Sequence, residues 1–238
     1  MHDQLQLGEL TCYVQRKHIK HLHLSVRPPL GRITVTAPMH MQLDTIRVYV
    51  ISKLAWIKKQ QLKMEQQEWL PPLKYLERES HYLWGKRYLL TIEEAAGTPK
   101  ITHAHGKLLL TIRPGTNTVK RQALFEAWYR EQLKIEATQL IQLWEPRLSV
   151  QVKKLYVRRM KTKWGSCTYQ RGTIRLNTEL ARKPKACLEY LVVHEMIHLL
   201  EPSHNKRFYR FMDLHLPNWK TTRDHLNNLP VSHESWHF

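Results

Sequence analysis

Cysteine is scarce. The 238 residues hold three, Cys12, Cys167 and Cys187, far apart and with no CxxC pair. An odd number of dispersed thiols argues against a disulfide scaffold and for a reducing, cytoplasmic compartment. Glycine is sparse too, at eight residues, and neither a low-complexity tract nor an internal repeat is visible, so long flexible linkers are not expected. No apolar run reaches the roughly 18 residues of a membrane span, and the stretch 48–57 is short and contains Lys53. The first ten residues, MHDQLQLGEL, lack the basic and apolar regions of a secretory signal. Acidic residues are in deficit, 20 against 38 lysines and arginines, for a formal charge of +18. That balance favours acidic partners such as nucleic acid or nucleotides, but it reports on attraction and not on chemistry.

What remains is a chain that is 42% apolar, enough for one large domain or two small ones with real cores. Its first part reads as β-rich. Leu22, Leu24 and Val26 alternate with His21, His23 and Ser25, the period of a half-buried strand. A turn at Pro28-Pro29-Leu30-Gly31 leads to a returning strand at Ile33 and Val35. Asp44 and Thr45 can cap a helix on which Ile46, Val50, Leu54 and Ile57 share a face, fading before Pro71-Pro72. Two strands are expected around Gly85-Lys86 and another over 107–113. Then the texture changes. Residues 119–144 lack proline and glycine, and Leu133, Ala137, Leu140 and Trp144 mark one face of a long helix closed by Pro146. The expected division is therefore 1–115, β-rich with one helix, and 116–238. In the second part a basic strand over 155–164 sets Arg159, Lys161 and Lys163 on one face and Tyr156, Met160 and Trp164 on the other. A Gly165-Ser166 bend and a second strand follow. Pro184 suits the first turn of the next helix.

That helix carries VVHEMIHLLEPSH, Val192 to His204. Leu188, Leu191, Val192, Val193, Met196, Ile197, Leu199 and Leu200 cover most of its circumference, so it is a buried helix, where ionisable side chains are costly unless partnered. His194 and His198 are one turn apart and point the same way, which lets both imidazoles reach one metal ion. Glu195 stands about 100° round the helix, placed to accept a proton from water activated there; this is the HExxH arrangement. Pro202 forces a bend, and His204 beyond it can return to the metal, with Glu201 as its rival. Three protein ligands with a position left for water suit a catalytic zinc ion, and the chemistry is hydrolysis.

Other candidates have weaker claims. The strand before Trp164 can serve as an edge for an extended peptide, or Arg159, Lys161 and Lys163 can hold phosphates. Trp164 can stack on a substrate or simply pack. His21 with His23, His103 with His105, and His233 with His237 read as surface or packing residues, and Cys167 as a buried structural thiol.

The segments KTKWGSCTYQRGTIRLN (161–177) and LVVHEMIHLLEPSHNKRFYRFM (191–212) together resemble the YgjP-type metal-dependent hydrolases, predicted zinc metallopeptidases related more loosely to the SprT-like proteases. The resemblance covers most of the chain and is strongest between about Tyr156 and Trp219. It implies an α+β fold, with a zincin-like catalytic domain behind the N-terminal β-rich region. It also implies one zinc held by His194, His198 and His204, Glu195 as catalytic acid/base, and Trp164-Gly165-Ser166 near the active site. The histidine spacing equals that of the metzincins, but Glu201 stands where their turn glycine would be and no Met-turn is evident. The expected function is a zinc-dependent peptidase acting on peptide or protein substrates. The alternatives are a metal-dependent nucleotide phosphohydrolase of the nucleoside triphosphate pyrophosphatase type and a basic nucleic-acid-binding module with a structural metal.

Overall fold

Alternating apolar residues build the first sheet of the chain, whose computed structural model describes residues 2–27, 31–65, 69–70, 72–160 and 163–232. Strands β1 (His2–Leu7), β2 (Leu10–Lys17), β3 (His23–Arg27) and β4 (Arg32–Pro38) pair in the order β1-β2-β4-β3. The β3 and β4 strands are antiparallel, with Leu24 opposite Val35 and Val26 opposite Ile33. The turn residues Pro28, Pro29 and Leu30 lie outside the described residues.

Where one helix was expected there are two, α1 (Leu43–Ser52) and α2 (Leu54–Glu65). The break falls at Lys53, and the Ser52 hydroxyl donates to the Tyr49 carbonyl, a local bond that competes with the helical ladder. The helix cap is Gln42, without a side-chain bond, so Asp44 lies inside the first turn rather than before it. Ile46, Val50 and Ile57 pack with Leu5, Cys12, Val14, Ile33, Val35 and Ala37 into a core of their own.

Two compact units result, residues 1–70 and 71–237. The expected seam at 115/116 falls inside the second unit. Strands β5 (Ser80–Leu83), β6 (Lys86–Glu94), β7 (Lys100–Ala104) and β8 (Lys107–Ile112) form a sheet in the order β5-β6-β8-β7. Leu83, Leu90, Leu108, Leu110 and Ile112 of this sheet share one core with Phe125, Tyr129 and Leu133 of α3 (Thr118–Leu148). The change of texture near residue 116 marks a passage from sheet to helix within one core.

Helix α3 is capped by Asn117, whose side chain accepts from the Lys120 N–H at 3.0 Å. Pro146 sits inside its last turn and the helix ends two residues later, because a proline there removes only one of the final backbone bonds. A second sheet follows, of β9 (Lys154–Arg158), β10 (Gly165–Thr168) and β11 (Thr173–Asn177), in the order β9-β11-β10. The expected strand over 155–164 thus stops at Arg158, and β9 pairs in parallel with β11 while β10 pairs with it antiparallel. Helices α4 (Lys185–Ile197), α5 (Lys206–His215) and α6 (Trp219–Asn228) complete the unit. Among the described residues no helix is long and apolar enough to cross a membrane.

Candidate metal centre

Helix α4 begins directly after Pro184, which serves as its cap rather than as a first-turn residue, and it buries Cys187, Leu188, Tyr190 to Val193 and Glu195 to Ile197. It closes three residues before the expected end, with His198 as the capping residue. Tight bonds then turn the chain: the Leu199 N–H donates to the Met196 carbonyl, and those of Leu200 and Glu201 to the Ile197 carbonyl. Pro202 forbids a return to helix, and His204 follows the bend just ahead of α5.

The bend brings three imidazoles together. One nitrogen from each of His194, His198 and His204 lies within 4.8 Å of the other two, and among the described residues no other such group of potential ligands occurs. The Nε2 atoms of His194 and His204 stand 3.0 Å apart. Two lone pairs at that distance repel unless a proton or a cation lies between them, and two nitrogens bound to one zinc at about 2.0–2.1 Å are separated by little more. His198 Nδ1 is oriented by the Glu201 backbone carbonyl at 3.1 Å, the kind of bond that fixes a ligating tautomer. The Glu201 carboxylate instead accepts from the Ser203 hydroxyl, and it is not among the clustered ligand atoms.

Burial favours the neutral form of His194 and His198. It pushes His194 down to about 3, with the neighbouring His198 and His204 adding to the effect, and it lowers His198 too. Neutral imidazoles at ordinary pH are what a metal requires. The buried Nδ1 of His194 has no hydrogen-bond partner. The donor set therefore fits a divalent ion that prefers nitrogen.

Glu195 is 4% exposed. Burial pushes its carboxyl up to about 8, and the Lys163 charge pulls the other way. A cation in the imidazole cage would act in the same direction as Lys163. Strand β10 lies directly against this carboxyl: a Cβ on Gly165 would stand 2.8 Å from Glu195 Oε1 and 3.2 Å from the Arg175 carbonyl. The glycine is what allows strand and carboxylate to approach so closely.

Of the other residues expected here, Ser166 is half-buried on the same strand, opposite Arg175. Trp164 is half-buried, packs on the core, and has the Lys183 ammonium 5.9 Å from its ring. Arg159 is not brought to the imidazoles; its guanidinium faces Glu126 on α3 at 3.8 Å. Lys161 lies outside the described residues, as do His233 and His237. With the strand ending at Arg158, Arg159 and Lys163 lie on no strand, so the expected common face is not formed by these two. His21, His23, His103 and His105 are exposed. Cys167 is half-buried, and burial together with the Glu195 charge pushes its thiol up to about 11.

Several residues around the site carried no sequence signal. Phe208 touches all three imidazoles. Tyr190 stands 5.8 Å from the His194 ring and stacks on Trp219, which in turn stacks on Tyr209 beside His204. Asn177 donates from its side chain to the carbonyls of Met160 at 2.8 Å and Lys163 at 3.0 Å, tying both ends of the segment before Trp164. Tyr190 lies one turn before His194 on α4; the others are ordinary aromatic and polar residues in sequence, and only the packing of α5, α6 and β11 brings them to the site.

A buried carboxylate beside three convergent imidazoles is the equipment of a metal-dependent hydrolase, and the comparisons with known proteins assign the chain to that class. Residues 20–229 match the family model described as YgjP-like, metallopeptidase domain, and the chain belongs to this family. No curated protein matches it. Among solved structures it is similar to the metallopeptidase zymogen of Pyrococcus abyssi abylysin, with 21% identity over 38% of this chain and 90% of that one and a TM-score of 0.36. It is also similar to the metallopeptidase zymogen of Methanocaldococcus jannaschii jannalysin, with 19% identity over 40% and 92% and a TM-score of 0.33.

Proposed function

We propose that the chain is a zinc-dependent peptidase in which His194, His198 and His204 hold one ion and Glu195 moves the proton. The observation that carries this reading is the convergence of three ligand nitrogens within 4.8 Å, with a buried carboxyl on the residue next to His194. Three imidazole ligands suit zinc, although nitrogen ligands of this kind also take other divalent transition metals. When bound, the ion supplies Lewis-acid polarisation of the scissile carbonyl and makes water acidic enough to ionise near neutral pH.

The chain's own residues do the rest. Glu195 takes the proton of the attacking water and delivers it to the leaving amine. Its dry surroundings raise its proton affinity toward the working pH, which suits a group that must accept and then release a proton. Among the described residues strand β10 pairs only with β11, so its other edge is available to an extended peptide. The edge strand proposed for substrate is thus Gly165–Thr168, following Trp164 rather than preceding it, with Ser166 on it and Trp164 and Lys163 at its start. Scarce, dispersed thiols favour a cytoplasmic setting. The phosphate-binding reading rested on a shared strand face for Arg159, Lys161 and Lys163, and with Arg159 and Lys163 outside any strand it loses support.

The test is Glu195→Gln in zinc-loaded protein. Cleavage of unfolded protein should fall by about 10²- to 10⁴-fold while one metal per chain is retained. A wild type that leaves denatured casein intact but releases phosphate or pyrophosphate from nucleoside triphosphates would replace this reading with the nucleotide one.

A further inference from the structure

The three imidazoles rest on one phenyl ring. Phe208 is fully buried, and its ring centroid lies 4.9 Å from that of His194, 4.7 Å from His198 and 4.7 Å from His204. It meets His194 and His204 edge-on, at 70° and 76°, and lies tilted at 31° to His198. Each is a favourable aromatic arrangement, and together they touch every ring of the cage. The ring itself is held. Asn205 caps α5, its side-chain oxygen accepting from the N–H groups of Arg207 at 2.9 Å and Phe208 at 3.1 Å, so the first turn of α5 is fixed one residue after His204.

The imidazoles need such support because their polar restraints are few. His198 has the Glu201 carbonyl, but the buried Nδ1 of His194 has no hydrogen-bond partner, so no bond at that nitrogen sets the angle of its ring. In metal sites a ligating histidine is ordinarily oriented by a hydrogen bond at its second nitrogen. Here a packed apolar face does that work.

We propose that Phe208 is a positioning residue for the metal, a rigid floor that presets the three imidazoles so that the ion binds without reordering them. This rests on the three-histidine metal reading above. A preset cage avoids the cost of ordering side chains on binding, so loss of the floor should appear as weaker metal affinity before it appears in anything else.

The experiment measures zinc affinity by chelator competition, and the visible spectrum of the cobalt-substituted protein, for the full chain and two variants. Phe208→Leu keeps the site apolar but replaces a flat ring with a branched side chain. Met212→Leu changes another fully buried residue of the same helix, one without ring contact to the cage. Phe208→Leu should weaken zinc by about 10- to 100-fold and change the cobalt bands. Met212→Leu should leave both as in wild type. Equal affinity and spectra for Phe208→Leu and wild type would overturn the proposal. So would equal weakening in the two variants, since that marks general loosening of α5. A wild type that binds no zinc would overturn the three-histidine reading itself, and the proposal with it, which separates the two failures.

Discussion

Glu195 is bounded closely by strand β10. A methyl group on Gly165 would stand 2.8 Å from its Oε1, 3.1 Å from its Cγ and 3.2 Å from the Arg175 carbonyl. The last of these is backbone of the adjoining strand and has little freedom to retreat. Gly165→Ala should therefore displace the carboxyl, and displacement of a proton-transferring group by a fraction of an ångström is felt in catalysis. The expected outcome is a fall in kcat of about 10- to 100-fold with zinc content unchanged, measured by steady-state kinetics and metal analysis. Full activity in the alanine variant would show that this approach is not part of the chemistry. His194, Glu195 and His198 could be read from sequence because their geometry is internal to one helix. His204 could be found because Pro202 dictates a bend. The requirement for glycine at 165 could not, because it arises where two separate elements meet.

Between β9 and β10 the chain leaves the sheet, and one side chain fixes how it does so. Asn177 ends β11, donates to the carbonyls of Met160 and Lys163, and accepts from the Glu179 N–H at 3.2 Å. Its backbone N–H also donates to the Trp164 carbonyl at 2.8 Å. Asn177→Ala removes a buried side chain and strips partners from part-buried backbone groups, which should cost about 1–3 kcal/mol in urea denaturation. It should also release the segment that leads into the proposed substrate edge, so KM for a peptide should rise more than kcat falls. A variant with unaltered stability and KM would remove Asn177 from this role. The same segment shows where sequence patterning stops. Alternation over 155–164 suggested one continuous strand, but strand limits are set by pairing with β11, which lies further along the chain. The split of the expected helix at Lys53 has a local cause, the Ser52 hydroxyl on the Tyr49 carbonyl, whereas the unexpected strand β7 is defined by its pairing with β8.

The described residues form two apolar cores, and the imidazole cluster belongs to the second unit, whose stability should depend on metal and on pH. Zinc in excess at about 100 times its Kd should add about 2.7 kcal/mol to the unfolding free energy of that unit, a gain that a chelator abolishes. The pH dependence can be located more closely. His81 is 1% exposed, stacks on Phe125, has Tyr75 beside it, and donates from Nε2 to Glu79 at 3.1 Å. Glu79 also accepts the N–H groups of Lys74 and Tyr75, both at 2.7 Å. Burial pushes His81 down to about 4; the Glu79 charge opposes this and the Arg182 charge adds to it. The native ring is thus neutral where the unfolded one, with its ordinary value near 6.5, is charged. Between these values the unfolded chain holds the extra proton, so native stability rises with pH across the window and falls away from about 6.5 down to about 4. Replacing the ring with an apolar group removes this contribution and leaves the Glu79 bonds to the backbone in place. Unfolding free energies from urea titrations at several pH values should therefore show wild type losing on the order of 2–3 kcal/mol relative to His81→Leu across the window. Taking the difference cancels His194 and His198, which burial lowers in the same way in both proteins. Parallel curves for the two proteins would mean that His81 binds its proton equally in both states, and that its burial does not set the acid limit of this fold.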